Sequence, residues 1–347
     1  MIISQIEAWQ PTTPGSPQDW RTQLGQIVVE VTTSDGTIGI GVGGGGSAGI
    51  HIIRTVLRER LVGMDIDHPA DAHATMCQMT GFYGRKGLVP MAISGVDLAI
   101  WDAYAKASER SIYELLRSDV PARDSCSIYS TVFDEKEARS AINNGNRDVK
   151  LHVERFGSDP DPSLIIELVA RTRGLIGDVP AIMIDAFGGW NVARTLAIAE
   201  QLTPFDVSWI EEPLMPDNVE GYRELCLHSP IPIAGGEHEY LIEGFTQIAD
   251  NLMHDVLQPD VNWCGGLTTL IEIYKLADER SLRVVPHRGS EPFALPAILA
   301  LDRSPIAESP RRWFNVFDPP VQIVDGRARC NHGPGFGVSI KRRDNGE

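Results

Sequence analysis

A chain of 347 residues with 47 acidic and 31 basic side chains carries a formal net charge of −16, a field that repels nucleic acid and anionic membranes. The length exceeds one average domain and leaves room for a barrel of roughly 200–250 residues beside a smaller unit. No run of about 18 apolar residues is present and the start lacks a basic region before an apolar core, so we expect a cytoplasmic protein with no membrane and no nucleic-acid partner. If its substrate is an anion, capture must depend on a local positive centre. The five cysteines, Cys77, Cys126, Cys226, Cys264 and Cys330, form no CxxC pair, which predicts reduced, mostly buried thiols.

Residues 1–123 read as a separate unit. The stretch from Pro11 to Gly25 is rich in Pro, Gly, Ser and Gln, the composition of a loop that can act as a lid. Ile27–Thr33 and Thr37–Ile40 flank an Asp35-Gly36 turn, a hairpin signal. Gly41-Val42-Gly43-Gly44-Gly45-Gly46 formally matches the dinucleotide-binding GxGxxG, but the strand before it belongs to a hairpin and no buried parallel strand follows. A glycine loop that lets backbone approach a ligand fits better. Arg85 and Lys86 precede an apolar helix predicted over Val89 to Ala107; they can meet an anionic substrate or stand as solvated charges. Asp97 and Asp102 within that helix read as packing acids with hydrogen-bonded partners.

From Ser125 the pattern changes to short apolar runs alternating with helical stretches. Cys126–Ser130 reads as a first strand and Asp148–Val153 as a second. Lys150 and His152 are two apart, so both face the same way in a strand. Inward charges are costly unless they serve a site. Five further runs each end in a residue able to bind a metal or move a proton: Asp185, Glu211, Glu237, Asp260 and His287. A last short strand ends at Glu308. Consecutive βα units at this spacing close into a barrel whose chemistry lies at the C-terminal strand ends. The first three acids are evenly spaced (211 − 185 = 26 and 237 − 211 = 26), which places them on neighbouring strands. Three converging carboxylates need a cation between them, and an oxygen-only set suits Mg²⁺.

Asp185, Trp209-Ile210-Glu211-Glu212-Pro213, Gly236-Glu237, Gln258-Pro259-Asp260 with Cys264-Gly265-Gly266, Pro286-His287 and Glu308, together with Ser94–Asp102 in the first unit, resemble the enolase superfamily in its mandelate racemase subgroup. Within that subgroup Gly236–Glu239, Gln258–Gly266 and Pro305–Glu308 look most similar to acid-sugar dehydratases of the L-rhamnonate type. The resemblance implies an α/β fold: a modified (β/α)7β TIM-type barrel (124–313) under an α+β capping domain (1–123), with a C-terminal segment (314–347) packing back on the cap. It implies Mg²⁺ on Asp185, Glu211 and Glu237, and abstraction of the proton α to a carboxylate to give an enediolate held by the metal. Lys150 and Glu308 carry over as partners of the substrate carboxylate, Glu308 being protonated at least when substrate is bound. Asp260 and His287 carry over as orienting acid and proton-transfer base.

Position 152 departs from the Lys-x-Lys common on the second strand, so His152 is open as base, hydrogen-bond donor or spectator. The expected activity is dehydration of an acid sugar to a 2-keto-3-deoxy acid. The alternatives are a racemase, epimerase or cycloisomerase sharing the enediolate step, or a catalytically silent sugar-acid binder. The expected partners are the small acid-sugar substrate and further copies of the chain in a homo-oligomer.

Overall fold

The computed structural model describes residues 1–11, 24–117, 121–157, 161–311 and 316–341. Most of the expected lid from Pro11 to Gly25 lies outside these residues. Strands β1 (Ile3–Trp9), β2 (Ile27–Thr33) and β3 (Ile38–Gly43) form an antiparallel sheet. The Asp35-Gly36 turn closes the β2–β3 hairpin, with Gly36 at φ 87° and Thr33 N–H donating to the Thr37 carbonyl at 2.9 Å.

The sheet packs on the helix Leu88–Ala107, and this contact corrects the reading of the glycine run. A Cβ on Gly41 would lie 2.2 Å from the Gly95 carbonyl oxygen, and one on Gly39 would lie 2.0 Å from that of Ala99. At Gly39, Gly41 and Gly43 it is the helix backbone that approaches, whereas Gly44 faces the Trp263 side chain. This helix also has the length and hydropathy of a membrane span, although its sequence holds no unbroken apolar run of that length. It is buried as a core helix. Asp97 accepts from Thr268 N–H at 3.0 Å and Oγ1 at 2.6 Å, and Asp102 from the N–H groups of Ile40 and Phe336, each at 2.9 Å. Both are packing acids that tie the helix to its neighbours.

Eight parallel strands follow: β4 (Ser125–Val132), β5 (Asp148–His152), β6 (Ile182–Asp185), β7 (Val207–Glu211), β8 (Ile233–Gly235), β9 (Val256–Leu257), β10 (Arg283–Val284) and β11 (Ile306–Glu308). They pair in sequence order from β4 to β10, and β11 returns to pair with β4. Beyond β10 the ring is joined by single bonds such as Ser290 N–H to the Glu308 carbonyl at 3.0 Å. Seven βα units and a closing strand make the expected (β/α)7β barrel. The first four of its helices start at side-chain caps: Asp134, Asp161, Asn191 and Asn218 each accept backbone N–H groups of the first turn.

The strands β8, β9 and β10 are shorter than the apolar runs that announce them. Pro232, Pro259 and Pro286 interrupt the ladders because proline has no N–H to donate. Their carbonyls still accept, as Pro259 does from His287 N–H at 3.1 Å. After the barrel, β12 (Gln322–Val324) and β13 (Arg327–Arg329) form a hairpin whose second strand pairs antiparallel with β4. Gly335 then exchanges backbone hydrogen bonds with Arg110 and Ile112 at the end of the capping helix.

Inside the barrel, Tyr129, Met183, Trp209, Ala234, Val256, Val285 and Ile306 form one buried layer. Strand side chains alternate. The next inward positions, two residues on, are therefore Thr131 above Tyr129, Asp185 above Met183, Glu211 above Trp209 and Glu308 above Ile306. The apolar layer is the floor on which a polar site stands.

Candidate active site

The polar layer brings together Lys150, His152, Asp185, Glu211, Glu237, Asp260, His287 and Glu308. Lys150 is fully buried, with Nζ 2.5 Å from Glu211 Oε1, 3.2 Å from Glu308 Oε1 and 3.7 Å from Asp185 Oδ2. Burial alone would lower its pKa; the three carboxylates outweigh burial and hold the ammonium charged well above the usual lysine range. His152 Nδ1 lies 2.9 Å from Asp185 Oδ2 and its Nε2 lies 3.2 Å from Glu154 Oε2. Sequence had offered no partner for His152. Both partners are acids, one from the neighbouring strand and one from the turn just after β5.

Glu211 is gripped by Lys150, by Gln258 Nε2 at 2.6 Å and, more loosely, by Trp209 Nε1 at 3.4 Å. Burial, with repulsion from Asp185, Glu308 and Glu237, still pushes its carboxyl up to about 7 against the pull of Lys150. That residual repulsion marks a cluster short of positive charge. Among the described residues no three carboxylates, imidazoles or thiolates converge tightly enough to enclose an ion as they stand: Asp185 and Glu211 are turned to His152 and Lys150. The chemistry of the donor set nevertheless fits a hard divalent cation. Three carboxylates on neighbouring strands, with no sulfur among them, face a charge deficit that such an ion would fill.

Opposite this cluster His287 Nδ1 meets Asp260 Oδ2 at 2.9 Å, and its Nε2 lies 3.5 Å from Glu237 Oε2 and 3.9 Å from Glu308 Oε2. Burial opposes the imidazolium, but Glu237, Glu308 and Asp260 together raise its pKa. Asp260 is itself held in place by Asn262 N–H at 2.8 Å and by Arg311, which also bonds Glu291. Against burial, Arg311 and His287 hold the Asp260 carboxyl down at about 2. Neither Arg311 nor Glu291 was legible in the sequence.

Glu308 accepts from Thr131 Oγ1, Lys150, Arg288 Nη1 (3.2 Å) and the Arg288 backbone N–H (2.9 Å). Burial would raise its pKa, yet Arg288, Lys150 and His287 drive it well below the usual carboxylate range. These neighbours favour the carboxylate form of Glu308 in the site as it stands, whereas the proton expected on it belongs to the site with substrate bound. Rings cover the mouth in a chain of edge and tilted contacts, Phe133–His152–Phe187–His238–Trp263–His287, with centroids 5.3–6.3 Å apart. Lys86 does not reach this mouth as a free charge. It bridges Asp217 (2.9 Å) and Glu239 (3.1 Å), tying the capping loop to two barrel loops, and Arg85 is exposed.

Comparison with known proteins matches residues 134–344 to the enolase C-terminal domain-like family and residues 19–117 to the mandelate racemase/muconate lactonizing enzyme N-terminal domain. The L-rhamnonate dehydratase of Saccharopolyspora erythraea is 34% identical over 91% of this chain and 83% of its own length. The 3,6-anhydro-D-galactonate cycloisomerase of Zobellia galactanivorans superposes with a TM-score of 0.86 at 26% identity, covering 98% of this chain and 97% of that one. The L-talarate dehydratase of Polaromonas sp. JS666, solved with Mg and L-glucarate, superposes with a TM-score of 0.84 at 28% identity, covering 98% and 95%. The barrel, its cap and these matches agree: the chain belongs to the enolase superfamily, in its mandelate racemase/muconate lactonizing enzyme subgroup.

Proposed function

We propose that this protein is a Mg²⁺-dependent hydro-lyase that dehydrates an acid sugar to a 2-keto-3-deoxy acid, with an L-rhamnonate-like aldonate as the first candidate. The observation that carries the reading is the Asp260–His287 pair, whose free Nε2 lies among Glu237 and Glu308 at the same layer as Lys150. Asp185, Glu211 and Glu237 would hold the ion once Asp185 and Glu211 turn away from His152 and Lys150. When bound, the divalent cation supplies the charge stabilisation without which a proton α to a carboxylate is too weakly acidic for a side-chain base.

In this reading Lys150 and Glu308 orient the substrate carboxylate. Asp260 fixes the tautomer of His287 so that Nε2 is free to take the α-proton. The imidazolium formed then gives a proton to the departing 3-hydroxyl, and the enol product ketonises by taking a proton at C3. The apolar layer below and the rings above keep bulk water from the intermediate. The same reading divides the chain into a cap (1–123), barrel (124–313) and C-terminal segment (314–347), and places it in the cytoplasm as a homo-oligomer.

A second reading, epimerisation or cycloisomerisation, is favoured by one observation: the His152 imidazole is partnered by acids and could exchange a proton opposite His287. The test is a screen of mono- and diacid sugars with Mg²⁺. A 2-keto product trapped by semicarbazide supports dehydration; an isomer with no trapped ketone supports the second reading.

A further inference from the structure

Arg288 is used by neither sequence motif nor mechanism so far, yet it stands in the site. Its backbone sits at φ 52°, a region where an L side chain is disfavoured and glycine is at ease. Non-glycine residues held there cluster at functional sites. Its guanidinium has five N–H donors, of which Nη1 serves Glu308 Oε1 at 3.2 Å and the Ser309 carbonyl at 3.4 Å. The buried Nε has no hydrogen-bond partner. About a quarter of the side chain is exposed (24%), so the group is reachable from the mouth. Glu308 Oε1 is thus shared by two full cations, Lys150 Nζ and Arg288 Nη1, each at 3.2 Å. An unbonded buried guanidinium N–H is costly to leave unmet.

We propose that Arg288 is a substrate-contacting cation: its free donors bind the substrate carboxylate on the Glu308 side, across from Lys150. The charge on that carboxylate grows as the α-proton leaves. Arg288 therefore contributes more in the enediolate than in the bound acid, and its loss lowers kcat as well as affinity. A purely structural Arg288 would serve only to neutralise Glu308. The inference rests on the enediolate reading above, and its test must separate the two.

The probe is oxalate, a planar dianion with the shape of the enediolate, titrated calorimetrically with Mg²⁺ present into wild type, Arg288→Gly and Arg288→Lys. Glycine suits the backbone at this position, so the variant should fold. Expected is a loss of oxalate affinity and of kcat by about 10- to 100-fold in Arg288→Gly, the size of one charge-assisted hydrogen bond. Lysine should restore part of both, and added guanidinium should partly rescue the glycine variant. Wild-type oxalate affinity in Arg288→Gly overturns the inference, whether or not the melting temperature falls. If oxalate binding depends on Arg288 but wild type eliminates water from no acid sugar, the inference stands and the dehydratase reading fails. A wild-type protein that binds no oxalate overturns both.

Discussion

Arg311 offers the sharpest perturbation of the active-site scaffold. Its side chain is 3% exposed and lies between Asp260 (0%) and Glu291 (3%), bonding both. Arg311→Met removes one cation of similar volume and leaves two buried carboxylates without it. Breaking a buried ion pair by removing one partner costs about 3–5 kcal/mol, because the remaining charge is uncompensated. Asp260 keeps His287 and Asn262 N–H as partners, which places the expected loss near the lower end, about 3 kcal/mol. Part of this has a pH signature. Asp260 is held at about 2 against an unfolded value near 3.9. A depressed carboxylate contributes stability that is present above pH ~4 and lost as pH falls through ~2, a window worth roughly 2–3 kcal/mol.

Arg311→Met should therefore show a lower urea midpoint at pH 7 and a smaller further loss between pH 4 and 2 than wild type. Turnover should fall too, since a carboxylate no longer pinned by Arg311 orients His287 poorly; Arg311→Lys should lie between. A methionine variant with the wild-type midpoint and the wild-type acid limb would refute the view that Arg311 holds Asp260 as a charged, fixed partner.

Asp185→Asn, Glu211→Gln and Glu237→Gln should each abolish turnover while leaving the far-ultraviolet dichroism unchanged, since these groups stand above the packed layer; turnover surviving EDTA would contradict the metal assignment. His254 is buried with Nδ1 unpartnered and its pKa is pushed down by burial to about 4. Its neutral form is stabilising above pH ~6.5 and the advantage is lost as pH falls toward 4, by roughly 3 kcal/mol in all. His254→Asn should flatten that slope in urea titrations at pH 7 and 4.5, and an unaltered slope would discount the group. His287→Asn should stop product formation, whereas His152→Ala should mainly weaken binding if elimination is syn. Deuterium exchange at C2 that persists in the His287 variant and vanishes in the His152 variant would reverse those roles and make elimination anti.

The barrel was legible because its strands are apolar runs alternating with helical stretches, and because Asp185, Glu211 and Glu237 recur at equal spacing. Lys150 and His152 could be paired from alternation alone. What could not be read were contacts made across the ring by side chains with no periodic signature. Arg311 reaches Asp260 from 51 residues away, and Gln258 reaches Glu211 from 47. Arg288 follows His287 directly, but only the folded backbone reveals its positive φ and its place on Glu308. The glycine run misled for a similar reason: a close-packed helix and a bound ligand both demand a missing Cβ, and sequence does not say which arrives. The charges around Glu308 were equally invisible: Arg288 and Lys150, from elsewhere in the ring, pull its pKa down against burial.

Turnover of an accepted acid sugar in D₂O with Mg²⁺, followed by NMR, tests the central claim most directly. Dehydration through His287 predicts a 2-keto-3-deoxy acid carrying one solvent deuterium at C3, formed by wild type and absent both in His287→Asn and in EDTA. Recovery of the acid with deuterium at C2 and inverted configuration, with no 2-keto product, would contradict it.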